Sequence, residues 1–214
     1  MRINKILTSS RSRQAQLVID GREALKLEKE TVRRLDLKVG QEVFPSFLKY
    51  IKEEDIYSLA QREALRLLTR KLRSTQELIK KLRHLFPQKI VERLRAELTK
   101  EGLLNDSTLA SSLLWWRIGQ GRHSLKEIKA ELKKRGFERP LVRELLGGVA
   151  PEKEEPIALK LAYRKAQRTS ERDWLKLRDK IGTYLRNKGF SYPIIARVLK
   201  VENFSKYLSS DNPN

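Results

Sequence analysis

The chain has 214 residues, with 47 Lys or Arg against 27 Asp or Glu, a formal net charge of +20. Self-repulsion of that size opposes a compact state, so its use is to meet a polyanion: nucleic acid, an acidic protein surface or an anionic membrane. The absence of cysteine excludes a disulfide scaffold, thiolate metal ligands and a cysteine nucleophile, and suits a reducing cytoplasm. No stretch approaches the roughly 18 continuous apolar residues of a membrane span. Divided after residue 57, the charge is uneven: 12 basic and 9 acidic residues before, 35 and 18 after. The partner surface is therefore expected in the second part.

Residues 1–19 hold Arg2, Lys5, Arg11 and Arg13 and no acid, as an organelle transit peptide would. The same stretch alternates like a strand and leads into Asp20-Gly21, a hairpin turn pair, which favours a folded segment. Strands are predicted over 3–8, 15–19 and 22–27, a short helix over 28–35, and a loop at Lys38-Val39-Gly40. Residues 1–57 are read as an N-terminal strand and helix appendage, too small to be stable alone.

From Leu59 onward the apolar spacing is helical. Leu78, Leu82 and Leu85 recur at steps of three and four, as do Leu125, Ile128 and Leu132, and again Trp174, Leu177, Ile181, Tyr184 and Leu185. Ser74, Ser124 and Ser170 precede these runs and are candidate N-caps. Gly136-Phe137 and Gly189-Phe190 end two of them, the Gly supplying a left-handed terminus. Phe86, Phe137 and Phe190 lie 51 and 53 positions apart, so a unit of about 50 residues repeats three times. The predicted helices are 58–71, 74–85 and 88–100; 106–118, 124–135 and 139–147; 156–169, 171–187 and 191–199. They make three-helix repeats over 58–104, 105–148 and 151–204, with a hinge from Gly147-Gly148 to Pro151 and a disordered tail over 205–214. The predicted fold is mainly all-α: tandem three-helix repeats in an elongated, curved array, bearing a small N-terminal β-hairpin appendage and forming a monomer.

No phosphate loop or Gly-rich turn after a strand is present. His84 and His123 lack ligand spacing, and the carboxylates alternate with Lys and Arg as solvated ion pairs do. The expectation is a binding protein with no catalytic residue, cofactor or metal. Basic residues form ladders instead. Lys126, Lys129 and Lys133 follow one another on one predicted helix. Lys160, Arg164 and Arg168, with Lys165 alongside, do so on a second, and Arg172, Lys176 and Lys180 on a third. One such ladder is ordinarily a wet helix face; three in tandem, with Arg122 in the preceding loop, can neutralise phosphates or meet an acidic groove. Trp115 and Trp116 point about 100° apart on a helix. Trp116 shares a face with Leu109 and Leu113 and is expected in the core. Trp115 lies off that face, for packing between units or for contact with a partner or a base.

The run Gly102-Leu103-Leu104-Asn105-Asp106-Ser107-Thr108-Leu109-Ala110, followed by Arg117, resembles the RecX family of recombinase regulators. So do Ala64, Leu65 and Leu68 and the ending Lys133-Lys134-Arg135-Gly136-Phe137. The resemblance covers about residues 55–200. Asn105 replaces the usual acid, and Gly121-Arg122-His123-Ser124 lacks the usual Gly-Pro. The resemblance implies a cytoplasmic regulator that binds RecA in the groove of its DNA-bound filament and restrains strand exchange, ATP hydrolysis or filament growth. The rival from the residues alone is a sequence-nonspecific module for single- or double-stranded DNA, or RNA. A base-reading helix-turn-helix protein fits less well, because these helices are richer in Lys than in Asn or Gln.

Overall fold

Three strands open the chain: β1 (Ile3–Thr8), β2 (Gln14–Ile19) and β3 (Glu23–Glu28). They are seen in a computed structural model that describes residues 1–21, 23–171 and 173–204. The strands form one antiparallel sheet in the order β1-β2-β3. Asp20 and Gly21 turn β2 into β3 with φ of 48° and 70°, the left-handed pair that matches strand twist. Alternation puts Ala15, Leu17 and Ile19 of β2 inward. Leu17 joins Ile3, Leu27, Leu37, Val43 and Ile51 in a core under the sheet.

Helix α1 (Lys29–Arg34) leads to α2 (Pro45–Arg70), which starts with a Pro in its first turn and runs 26 residues. The predicted helix over 58–71 thus begins 13 residues early, and the boundary expected at 57/58 falls inside it. Its buried face carries Glu54 and Ser58 among Ile51, Tyr57 and Ala60, so the apolar period is broken by polar residues that are nonetheless inside. Helices α3 (Thr75–Arg83) and α4 (Gln88–Lys100) close a second core on α2, built from Tyr57, Ala64, Leu78, Leu82, Leu94 and Leu98.

Two compact units emerge, Met1–Leu104 and Asn105–Asn214. The second holds α5 (Asp106–Gln120), α6 (Leu125–Lys134) and α7 (Arg139–Gly147), then α8 (Glu154–Gln167), α9 (Trp174–Lys188) and α10 (Tyr192–Val198). Ala110, Leu114, Ile128, Leu132, Phe137 and Val142 form the core of the first trio. Ile157, Leu161, Leu177, Ile181, Leu185, Phe190 and Ile194 belong to that of the next.

The termini explain why the helices stop where they do. Ser74 and Ser124 each make a reciprocal capping box with Glu77 and Glu127. At the third, Asp173 rather than Ser170 is the cap, accepting from the Lys176 amide at 3.0 Å; its carboxylate starts the helix three residues after the predicted 171. Phe137 N–H donates to Leu132 O at 3.2 Å and Phe190 N–H to Leu185 O at 3.1 Å. Both turns pass through a left-handed Gly, at φ 83° for Gly136 and 92° for Gly189. Gly148 ends α7 in an ordinary helical conformation. The expectations for Arg172 and for the tail over 205–214 lie outside the described residues.

Candidate functional site

Gly121 ends α5 at φ 57°, and two side chains of α8 depend on it. Arg164 donates from a guanidinium N–H to the Gly121 carbonyl at 3.3 Å. The Lys160 stem lies so close that a Cβ on Gly121 would stand 2.8 Å from its Cδ. The loop of the second repeat is thereby pinned to the first helix of the third, and Arg122 is presented beside α8.

Helix α8 buries Ile157, Ala158, Leu161, Ala162 and Ala166. Arg164, Lys165 and Arg168 flank that stripe and, with Arg122, Leu161 and Tyr184 of α9, line a pocket of about 510 Å³. Among the described residues its lining contains no acid. Among the described residues none of its four cations forms an ion pair, whereas Lys180 of α9 pairs with Glu171 at 3.0 Å. That contact, first, and the Asp173 amide, second, hold the Glu171 carboxyl below its usual value. Lys165 and Lys188 each place an ammonium 5.8 Å from the Tyr184 ring centre, where the ring's negative face attracts it.

A second set of contacts fixes this arrangement. The Ser124 hydroxyl that caps α6 also donates to Lys188 O at 2.6 Å, and Lys188 pairs with Glu127 at 2.5 Å. The Lys126 stem crosses Gly189 so closely that a Cβ there would collide with its Cδ. Arg117 grips Glu131 through two bonds of 2.8 and 2.7 Å, tying α5 to α6.

Of the residues singled out from the sequence, Arg122, Arg164, Lys165 and Arg168 are brought together. Lys160 and Lys126 are exposed but spend their stems on Gly121 and Gly189. Lys129, Lys133, Lys176 and Lys180 are exposed and do not line the pocket. Tyr184 is the residue the sequence reading placed only on an apolar stripe; its position between Lys180 and Lys188, one helical turn from each, is the available signal. Trp116 is corrected: it is 55 % exposed. The buried face of α5 centres on Ala110 and Leu114, and Trp116 lies about 200° round from Leu114. It sits under the Arg117 guanidinium at 4.6 Å. Trp115 is 43 % exposed, with the Lys153 ammonium 4.7 Å from its ring centre. His84 ends α3 as its C-cap, and His123 Nδ1 lies 4.0 Å from Glu127. Among the described residues no His, Asp and Glu group could hold a metal ion, and no helix is long and apolar enough to cross a membrane.

Comparison with known proteins agrees with this architecture. A family model described as "RecX, third three-helix domain" matches residues 153–199, the repeat of α8 to α10. The regulatory protein RecX of Clostridioides difficile (strain 630) is 31 % identical over 192 residues, covering 89 % of this chain and 91 % of the relative. The chain belongs to the RecX family. The Clostridium acetobutylicum regulatory protein RecX is 32 % identical over 196 residues, 88 % of this chain and 89 % of its own. A crystal structure of regulatory protein RecX superimposes with a TM-score of 0.76 over 92 % of this chain and 98 % of the other, at 23 % identity, and shares the fold. RecX from Lactobacillus salivarius, at 26 % identity, gives 0.63 over 72 % of this chain and 99 % of its own. Membership makes the chain a regulatory protein, not an enzyme.

Proposed function

We propose that this RecX-family chain is a cytoplasmic monomer that binds the DNA-bound filament of RecA and restrains its strand exchange and ATP hydrolysis. The observation that carries the reading is the basic surface of the second compact unit. Four cations without an ion pair among the described residues gather from two repeats around the α5–α6 loop and α8, and exposed Lys129, Lys133 and Lys176 add to them from α6 and α9. Such a surface fits a polyanionic lattice of phosphates and acidic side chains.

The test mixes the purified chain with RecA, with and without single-stranded DNA and a nonhydrolysable nucleotide. Binding should require the assembled filament, and RecA's ATP hydrolysis should fall as the chain is added. Reversing Lys129, Lys133, Arg164, Arg168, Lys176 and Lys180 to Glu should abolish both effects in a folded protein. If the cations meet phosphates, each lost contact should make the salt dependence shallower by about one unit of log–log slope. If they meet acidic RecA side chains, salt should act mainly on the association rate. Full inhibition by the folded six-site variant would sink the assignment. Equal affinity for bare DNA and for filament would favour the general nucleic-acid module instead.

A further inference from the structure

We propose that the pocket between the α5–α6 loop, α8 and α9 is a binding site for a nucleoside polyphosphate. Its phosphates are held by Arg122, Arg164, Lys165 and Arg168, and its base lies on Tyr184. The inference stands apart from the RecA reading, because it concerns a small ligand of this chain alone.

The convergence of charge argues for it. Arg164 lies on α8 and Arg168, four residues on and about 6 Å along the axis, is its C-cap; Lys165 follows Arg164. Arg122 reaches the same volume from a loop that Arg164 itself holds through Gly121. Four cations around about 510 Å³, with no acid among the described lining residues, repel one another until a compact, multiply charged group enters. A carboxylate brings a single charge, and a nucleic-acid strand brings one per nucleotide along an extended path. A di- or triphosphate concentrates several on adjacent groups. Arginine's planar fork suits phosphate oxygens through paired hydrogen bonds. The volume lies within the roughly 300–1,000 Å³ usual for small-molecule pockets.

Tyr184 supplies what a bare phosphate site lacks. It is half-buried against the core of the third repeat, yet lines the pocket, so its ring offers a flat platform for a base. Of the two ammonium groups near it, Lys188 is committed to Glu127 at 2.5 Å. Among the described residues Lys165 has no acidic partner that would hold it from a phosphate.

Isothermal titration of the full chain, without RecA and without divalent cation, tests this with ATP, pyrophosphate, adenosine and the oligonucleotide dT5. ATP should bind more tightly than pyrophosphate, and adenosine should give no signal. Arg122→Gln with Arg168→Gln should weaken ATP by about tenfold or more, the worth of a charge-assisted contact. Tyr184→Leu should weaken ATP about fivefold and leave pyrophosphate unchanged, whereas Tyr184→Phe should retain ATP. Circular dichroism confirms that each variant is folded. No binding of ATP, ATP no tighter than pyrophosphate, or dT5 tighter than ATP would each overturn the proposal. Because RecA is absent, any of those results leaves the RecA reading standing. Normal ATP binding by a chain without effect on RecA would remove that reading and keep this one.

Discussion

The two compact units carry nearly the same charge and handle it in opposite ways. Residues 1–104 hold 24 basic and 14 acidic side chains, and residues 105–214 hold 23 and 13. In the first unit acids sit among the cations. Glu54, buried on α2, pairs with Arg34 at 2.7 Å and with Arg93, and both guanidinium groups cover the Tyr57 ring, 4.9 and 4.2 Å from its centre. Glu28 takes Arg62, and Glu92 takes Arg83. In the second unit the acids hold helices together, Glu131 through Arg117 and Glu127 through Lys188, and among the described residues none pairs with a pocket cation. The uneven charge read from the sequence came from dividing the chain at residue 57, inside α2. What distinguishes the candidate binding face is the pairing of its charges, not their sum.

The largest expected effect tests that difference directly. Arg122→Glu with Arg168→Glu should lower affinity for RecA–DNA filaments by about 100-fold or more, since attraction becomes repulsion at a desolvated contact. Lys80→Glu with Lys81→Glu on α3 makes the same change in net charge at exposed sites and should cost less than about threefold. Equal losses in the two variants would show that net charge alone governs binding.

Next in size is the buried acid of the first unit. Glu54→Gln leaves Arg34 and Arg93 without their shared buried carboxylate, with Glu97 the remaining acid near Arg93. Arg93 is half exposed and can turn to water, so the cost should be about 2 kcal/mol, below the full penalty for an orphaned buried charge. Urea unfolding of the intact chain reads it. A loss under about 0.5 kcal/mol would mean that the pair works as an ordinary surface contact.

Much of this fold was legible in the sequence because its signals are local. Asp20-Gly21 fixed the hairpin, Ser74-x-x-Glu77 and Ser124-x-x-Glu127 the helix starts, and the Gly-Phe endings the stops. The start of α2 was hidden because Glu54 and Ser58 read as surface residues; Arg34 and Arg93, 20 and 39 positions away, make the burial of Glu54 tolerable, and Ser58 accepts from Thr31 and donates to Glu54 O. The pocket was half legible. Arg164, Lys165 and Arg168, the C-cap of α8, fall within one predicted helix and could be grouped by spacing. That Arg122 joins them depends on Gly121 meeting Arg164 across 43 residues, and no local pattern encodes that contact. Trp116 was misplaced because Leu109 and Leu113 lie at the margin of the buried face of α5, not at its centre.

A smaller effect separates two glycines that both sit at helix ends with positive φ. Gly102, at φ 74°, has open space where a Cβ would be; Gly189, at φ 92°, has the Lys126 stem. Gly102→Ala should cost about 1 kcal/mol for the left-handed backbone alone. Gly189→Ala must also displace Lys126 near its root, so about 2 kcal/mol is expected there. Thermal or urea unfolding of the two variants gives the difference. Equal costs would mean that the α6–α9 contact yields freely and does not brace the pocket.

The smallest effect is one of pH, and it belongs to the first unit. Tyr57 is fully buried, and its hydroxyl donates to Glu97. Burial first, and the Glu97 carboxylate second, push its pKa above the ordinary tyrosine value of about 10. Above that pH the unfolded chain has released a proton that the folded chain still holds, so stability falls as pH rises. The contribution is whole below about pH 10 and is lost as pH climbs toward the raised value. Tyr57→Phe removes the titrating group. At pH 7 it should cost only about 1 kcal/mol, because half-exposed Glu97 turns to water. Between pH 9 and 11 the variant's unfolding midpoint should decline less steeply than that of the parent chain. Parallel declines would mean that Tyr57 ionises with the same ease folded and unfolded, and that Arg34 and Arg93, stacked on its ring, offset the burial and the carboxylate in full.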